Sequence, residues 1–255
     1  MIIAGFMFAF AIFLFLLLAF LSHLERFTIH SIKVEGNKNI ETAKLTFFID
    51  SIIKDGNFHF FSPANIFLIP KLEIQQKLKN KFPRIKNVSV PFNGLNDELI
   101  IKIEERVPVF NYCIFDIDKN KQCFYADAEG FIFAPVYGLN SSKIYLIYEK
   151  ENDKKIGIKD HFAKPKEIEY LNKLINNLIS EGFIFDKIDL YGKDVFVFLD
   201  SFFLKFALDR DPQKQVQNLK SVLNSEFLKD KQTDLMYIDL RFDNKIFYKF
   251  KTQNE

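Results

Sequence analysis

Leu99-Ile100-Ile101-Lys102-Ile103-Glu104-Glu105-Arg106-Val107-Pro108 is the stretch on which the reading of this chain turns. Leu99, Ile101 and Ile103 recur at the two-residue period of a strand and face a core, while Lys102 and Glu104 face water. At Pro108 the pattern changes, from mixed helix and strand upstream to mostly strand downstream.

Upstream, Ile32 and Val34 alternate with Lys33 and Glu35 in a first strand from Ile29 to Glu35, and Gly36-Asn37 ends it as a turn. Leu45, Phe48, Ile49 and Ile52 recur at helical spacing between Glu41 and Ile53, with Asp55-Gly56-Asn57 as the stop. A loop carrying Phe60 and Phe61 leads to a second helix from about Pro70 to Phe82, with Leu72, Ile74, Leu78 and Phe82 apolar and Pro83 after it. A strand from Ile85 to Val90 follows, and Asn93-Gly94 and Asn96-Asp97 supply turn chemistry before Leu99. The order β-α-α-β-β predicts two helices on one face of a small sheet, with an outer strand edge left for pairing.

Downstream, strands are expected at Val109 to Phe115, Cys123 to Ala126, Phe131 to Phe133 and Ile144 to Tyr148, with turns at Asp116 to Asn120 and Glu129-Gly130. One helix runs from Pro165 to Glu181, burying Ile168, Leu171, Leu174, Ile175 and Leu178, and stops at Gly182. Another opens at Asp211-Pro212 with Val216, Leu219, Val222, Leu223 and Phe227 on one stripe. Strands at Lys187 to Leu190, Val195 to Leu199, Phe203 to Leu208, Met236 to Phe242 and Ile246 to Phe250 complete the pattern, the last two joined by a turn at Asp243-Asn244. The fold class is α+β, the second half a mainly antiparallel β domain with two packed helices. Residues 28–107 and 108–251 are expected as adjacent domains, followed by a loose tail at 252–255.

From Ile2 to Leu21 the chain carries no charge and is nearly all Ile, Leu, Phe and Ala. At about 1.5 Å per residue this run reaches about 30 Å, the thickness of a bilayer core. A buried soluble helix would need apolar protein on every side, which the amphipathic remainder cannot supply. A cleaved signal peptide fits less well, because the run is longer than the usual apolar region and Ala19-Phe20-Leu21-Ser22-His23 offers no good small-x-small site. Residues 1–27 are therefore expected to be a transmembrane anchor, spanning from Ile2 to Leu21, with a short flank. Met1-Ile2-Ile3 carries no Lys or Arg and Arg26 follows the span, so the positive-inside rule does not itself favour an outward C-terminal part.

With 35 Lys and Arg against 33 Asp and Glu, a net charge of +2 leaves no broad basic surface for a nucleic-acid backbone. The 32 Phe, 9 Gly and absence of Trp read as codon bias rather than function. His23, His30, His59 and His161 are scattered, and the acidic pairs Glu104-Glu105, Asp116/Asp118, Asp127/Glu129 and Asp209/Asp211 sit at turns, strand ends and caps. The sequence has neither a glycine-rich phosphate loop nor a G-x-S-x-G elbow. The expectation is a chain that catalyses nothing and takes no cofactor, metal or small-molecule substrate.

Cys113 and Cys123 flank the Asp118 turn, a placement that would set them across from one another if these strands form a hairpin. Two readings stand: a bridge formed outside the cytoplasm, or two reduced, half-buried cysteines acting as small apolar residues.

Ile32-Lys33-Val34-Glu35-Gly36-Asn37, Phe82-Pro83-Arg84-Ile85-Lys86-Asn87-Val88-Ser89-Val90 and the Leu99 to Pro108 stretch together resemble, in order and spacing, the POTRA domain of FtsQ/DivIB bacterial division proteins. Ala126-Asp127-Ala128-Glu129-Gly130-Phe131-Ile132-Phe133 looks like that family's aspartate-x-x-glycine segment, and Tyr237-Ile238-Asp239-Leu240-Arg241-Phe242 like its penultimate strand. The resemblance implies a single-pass protein of the inner membrane, its C-terminal part outside the cytoplasm and at the division septum. The POTRA domain would direct recruitment, with Val34, Gly36 and Arg106 as candidates. The β domain would hold FtsB/DivIC-like and FtsL-like coiled-coil partners and link divisome assembly to septal wall synthesis.

Physically, the last hairpin is the candidate grip, because a terminal strand offers backbone N–H and C=O groups to an incoming strand. Arg241, Phe242, Ile246, Phe247, Tyr248 and Phe250 are the candidate contacts, and the competing reading of the same residues is a sheet face packed on the helix containing Leu219. Arg106 is either an ion-pair partner that helps place the two domains or a solvated strand end. An assembly or docking protein of another envelope system is the alternative to the division reading.

Overall fold

The computed structural model describes residues 2–55, 60–92, 97–115, 121–136, 145–149 and 156–251. The expected turn residues Gly56, Asn57, Asn93, Gly94, Asn96 and Asp116 to Asn120, together with His59, Ile144 and the tail 252–255, lie outside them. The chain divides into two compact units, Met1–Arg106 and Val107–Glu255.

The first unit opens with α1 (Ile2–Ser22), whose window Gly5–Ser22 has a mean hydropathy of 2.6. It is long and apolar enough to cross a membrane. Then come β1 (Ser31–Glu35), α2 (Thr42–Lys54), α3 (Lys71–Lys81), β2 (Ile85–Ser89) and β3 (Glu98–Glu105), in the expected β-α-α-β-β order. The last strand, β3, lies in the middle of a three-stranded sheet, parallel to β1 and antiparallel to β2. Its alternation explains that place: Leu99, Ile101 and Ile103 are buried against Leu45, Ile49 and Ile52 of α2 and Ile74 and Leu78 of α3. One expected core residue is elsewhere, since Leu72 is 73% exposed. It stands two residues from Ile74, about 200° around the helix, so the Ile74/Leu78 stripe turns it outward.

The second unit contains β4 (Phe110–Phe115), β5 (Lys121–Ala126), β6 (Ile132–Pro135), β7 (Tyr145–Glu149), α4 (Pro165–Ser180), β8 (Lys187–Tyr191), β9 (Asp194–Phe198), β10 (Phe203–Ala207), α5 (Pro212–Leu223), β11 (Leu235–Asp239) and β12 (Phe247–Phe250). They form a nine-stranded sheet in the order β12-β11-β10-β9-β8-β7-β4-β5-β6. The sheet is more mixed than expected, with β4/β7, β7/β8 and β10/β11 parallel and the other neighbours antiparallel. Two of the parallel pairs have a helix between their strands, α4 between β7 and β8 and α5 between β10 and β11, which is what a parallel crossover requires.

Leu171, Leu174 and Leu178 of α4 and Val216 and Leu219 of α5 are buried with Ile147, Ile188, Val197, Leu204 and Ile238 of the strands. The Tyr170 hydroxyl donates to Gln215 Oε1 at 2.5 Å, and Gln215 Nε2 donates to the Leu240 carbonyl at 3.1 Å, tying both helices to the chain after β11. Burial, helped by Asp209 and Asp211, pushes the Tyr170 pKa well up and keeps its proton in that bond. Phe227, expected on the α5 stripe, lies beyond the helix end at Leu223 and is 52% exposed.

Candidate partner-binding edge

The penultimate strand ends at Asp239, so Arg241 and Phe242 belong to the connection and not to the strand. A local ionic turn accounts for this. Asp239 Oδ1 accepts the Arg241 backbone N–H at 3.2 Å and its Nε at 2.9 Å, and Oδ2 accepts an Nη of the same guanidinium at 2.6 Å. The other Nη is paired with Asp194 at the start of β9. Burial works against the charge on Asp239, but these bonds outweigh it and hold its pKa below the usual carboxylate range, while Asp239 and Asp194 hold the guanidinium's up. Arg210 pairs with Asp243 farther along the connection. Arg241 thus braces the hairpin from within the chain.

This bracing presents β12 as the terminal strand of the sheet, paired with β11 through Asp239↔Phe247, Ile238↔Tyr248 and Tyr237↔Lys249. The irregularity between Leu235 and Tyr237 falls on β11, so the alternation along β12 is unbroken. The Lys251 N–H donates inward, to the Asp234 carbonyl at 2.8 Å. Counting back from it, the backbone groups of Lys249 and Phe247 also turn inward, and those of Tyr248 and Phe250 turn outward. Among the described residues no strand pairs with that outer side.

The two faces of β12 differ. Tyr248 and Phe250 lie on the helix-bearing face, their rings 6.0 and 6.2 Å from Phe227. Phe250 and Ile246 pack against the core. On the other face Phe247 meets Phe242 edge-on at 5.3 Å. The packed-face reading holds for Ile246 and Phe250, which pack inward, while Phe242, Phe247 and Tyr248 are exposed.

Phe227 was missed as a member of this cluster, and so was an aromatic and lysine stripe on the face away from the helices. Lys205 Nζ sits 3.9 Å from the Tyr237 ring centre, and Lys187 Nζ sits 4.1 Å from that of Phe198. Phe196, Phe198 and Phe203 line a shallow depression of about 360 Å³ with Asp189, Tyr191 and Lys205. The signal was present in the sequence: Phe196, Phe198 and Phe203 occupy the alternate positions where a solvated strand face would carry polar residues. Apolar lining with one lysine and one aspartate suits side-chain contact. Among the described residues no group of three or more His, Cys, Asp or Glu is placed to hold a metal.

The recruitment candidates all lie in the first unit. Val34 packs against its core. Gly36 has φ +90°, and a Cβ there would fall 2.1 Å from the Ile103 carbonyl oxygen, so glycine is needed for β1 to leave the sheet. Arg106 donates its backbone N–H to Arg84 O at 2.7 Å and its Nε to Pro83 O at 3.2 Å, bonds to main chain of its own unit. Beside it, Glu105 is buried and collects the turn after β1: Oε1 accepts from Lys38 N at 2.7 Å and Ile40 N at 3.0 Å, and Oε2 from Asn39 Nδ2 at 2.8 Å. Against the cost of burial, these donors hold the Glu105 pKa below its usual value.

Cys113 and Cys123 are direct partners across β4 and β5, their Cα atoms 4.1 Å apart, and they form a disulfide. Of the two readings of this pair, the bridge is the one present. No protein-family model matches the chain, and no curated protein matches it.

Proposed function

We propose that this chain is a single-pass membrane protein, non-enzymatic and outward-facing, that captures a partner by strand addition at β12, as a division protein of the FtsQ/DivIB type. One observation carries the reading: a terminal strand with outward backbone groups, flanked by the exposed rings of Phe242, Phe247 and Tyr248 and held by the Asp194–Arg241–Asp239 brace. The disulfide supports the outward placement, because such bridges persist in oxidising compartments. The β-α-α-β-β unit behind α1 supports a POTRA-like recruitment domain. The partners are coiled-coil proteins like FtsB/DivIC and FtsL, and the site of action is the septum.

The test is co-purification of the full chain in detergent with the FtsB- and FtsL-like proteins of its own genome. Tyr248→Pro removes one outward N–H without touching the β11 ladder, and proline is tolerated at such an edge position. Binding should fall about tenfold or more while the unfolding midpoint stays within error. Lys245→Ala should change neither. Equal binding by Tyr248→Pro would move the site off this edge, and no binding by the intact chain would turn the reading to another envelope assembly system.

A further inference from the structure

The end of α1 is fastened to the loop that follows α2. Ser62 N–H donates to Ser22 Oγ at 3.1 Å, and Asn65 Nδ2 donates to the Ser22 carbonyl at 2.9 Å, with Ser22 and Asn65 both buried. Farther back in the helix, the Phe15 ring meets Phe60 at 5.7 Å and Phe61 at 5.5 Å, both edge-on. Phe15 precedes Ser22 by seven residues, an axial distance of about 10 Å. If Ile2 to Leu21 fills the hydrocarbon core, Ser62 and Asn65 sit level with its boundary and the Phe60 and Phe61 rings reach at most about 10 Å below it, within the range of interfacial segments.

The loop is built for that depth. Phe60 is 64% exposed and Phe67 is 62% exposed, and Phe67 continues through Phe92, also exposed, to Lys71, whose Nζ lies 5.4 Å from the Phe92 ring centre. Aromatic rings backed by lysine are the composition of a membrane interface. In water such a row of bare phenylalanines would be a liability. A non-helical segment at the edge of the hydrocarbon must also satisfy its own backbone. Here Ser62 N–H is bonded to Ser22, Asn65 to Ser62, Ile66 to Phe27, Leu68 to Asn65, and Phe67 to the Asn65 side chain, while Pro63 has no N–H.

We infer that the 60–67 loop is a second membrane contact, seating the first unit in the lipid headgroup and upper acyl region of the leaflet that α1 exits. This rests on the reading of α1 as a membrane span and adds to it a lipid surface as the ligand of the loop.

The chain has no Trp, so each introduced Trp is a single reporter. Full-length Phe60→Trp, Phe67→Trp, Phe10→Trp and Ile184→Trp would be reconstituted in mixed phosphatidylcholine and phosphatidylglycerol vesicles. Each would be titrated with lipids brominated high or deep on the acyl chain, and with acrylamide. Phe10 lies within α1, and Ile184 is an exposed position of the second unit. Positions 60 and 67 should lose about half their emission to the shallow bromines and resist acrylamide, position 10 should respond to the deep bromines, and position 184 to acrylamide alone. Phe10→Trp quenched by lipid with Phe60→Trp and Phe67→Trp quenched only by acrylamide would overturn the seat and leave the span standing. Phe10→Trp blind to brominated lipid would overturn both.

Discussion

The nine-stranded sheet ends in two different ways. At the β6 end the outer side is closed by the chain itself: Ile132 N–H donates to Asp160 O and Lys159 N–H to Ile132 O, both at 2.8 Å, and Phe131 pairs with His161. Asp127 Oδ1 orders the preceding turn by accepting from Glu129 and Phe131, and Gly130 there has φ +75°. At the β12 end no such cover is found among the described residues, and exposed rings stand where His161 and Asp160 stand at the other. Open edges invite unwanted pairing, and proteins ordinarily block them. Among the described residues one edge is closed by a segment of the chain and the other is braced but uncovered, the contrast that supports the proposal of β12 as the partner edge.

The contrast can be broken most strongly at the closed end. A Cβ at Gly130 would fall 2.5 Å from Ile168 Cδ1 in a left-handed conformation. Gly130→Val should therefore destabilise the second unit by about 3 kcal/mol in urea unfolding. With the cover loosened, the variant should also self-associate through β6, read as a rising sedimentation coefficient.

The disulfide sharpens the comparison, because it staples β4 to β5, next to the closed edge. Reduction, or Cys113→Ser with Cys123→Ser, should cost about 2.5 kcal/mol of stability. Partner capture at β12 should persist under conditions where the fold survives.

The smallest effect belongs to the open end. Asp239 is held ionised below its usual range, so the folded chain binds fewer protons than the unfolded chain at mildly acid pH. The stability this gives is fully present above the unfolded carboxylate value, near about 3.9, and is lost as pH falls through the lowered native one. Asp239→Asn should cost about 1.5 kcal/mol at neutral pH and flatten the acid limb of the stability profile, measured by chemical unfolding from neutral to acid pH. An unchanged acid limb would remove Asp239 from the brace.

Periodicity made much of this fold legible. The alternation of Leu99, Ile101 and Ile103 and the stripe of Leu171, Leu174 and Leu178 each came from a short window, because the buried face of an element repeats at its own period. What escaped was non-local. The parallel neighbours β4/β7 and β10/β11 depend on which strands meet, and strand composition carries no record of that. Arg241 and Asp194 are 47 residues apart, so no local window pairs them, and Arg241 was expected as a partner contact rather than as an internal brace. Glu105 reads from the sequence as a strand-end acid, and the structure makes it the buried acceptor of the turn after β1. The hairpin itself was visible from its Asp243-Asn244 turn, whereas Phe227 was not, because the helix it was assigned to stops at Leu223.

The bonds between Ser22, Ser62 and Asn65 also bear on how such a molecule would search for its partner. A domain joined to its anchor by a slack linker swivels and samples a wide volume above the bilayer. The bonds from Ser62 and Asn65 to the last turn of α1 restrict such swivelling and couple the heading of the loop to the rotation of the helix. With α1 in a bilayer, encounters with a neighbour in the same membrane would become a two-dimensional problem of lateral drift and spin, with less orientational freedom left to lose on contact.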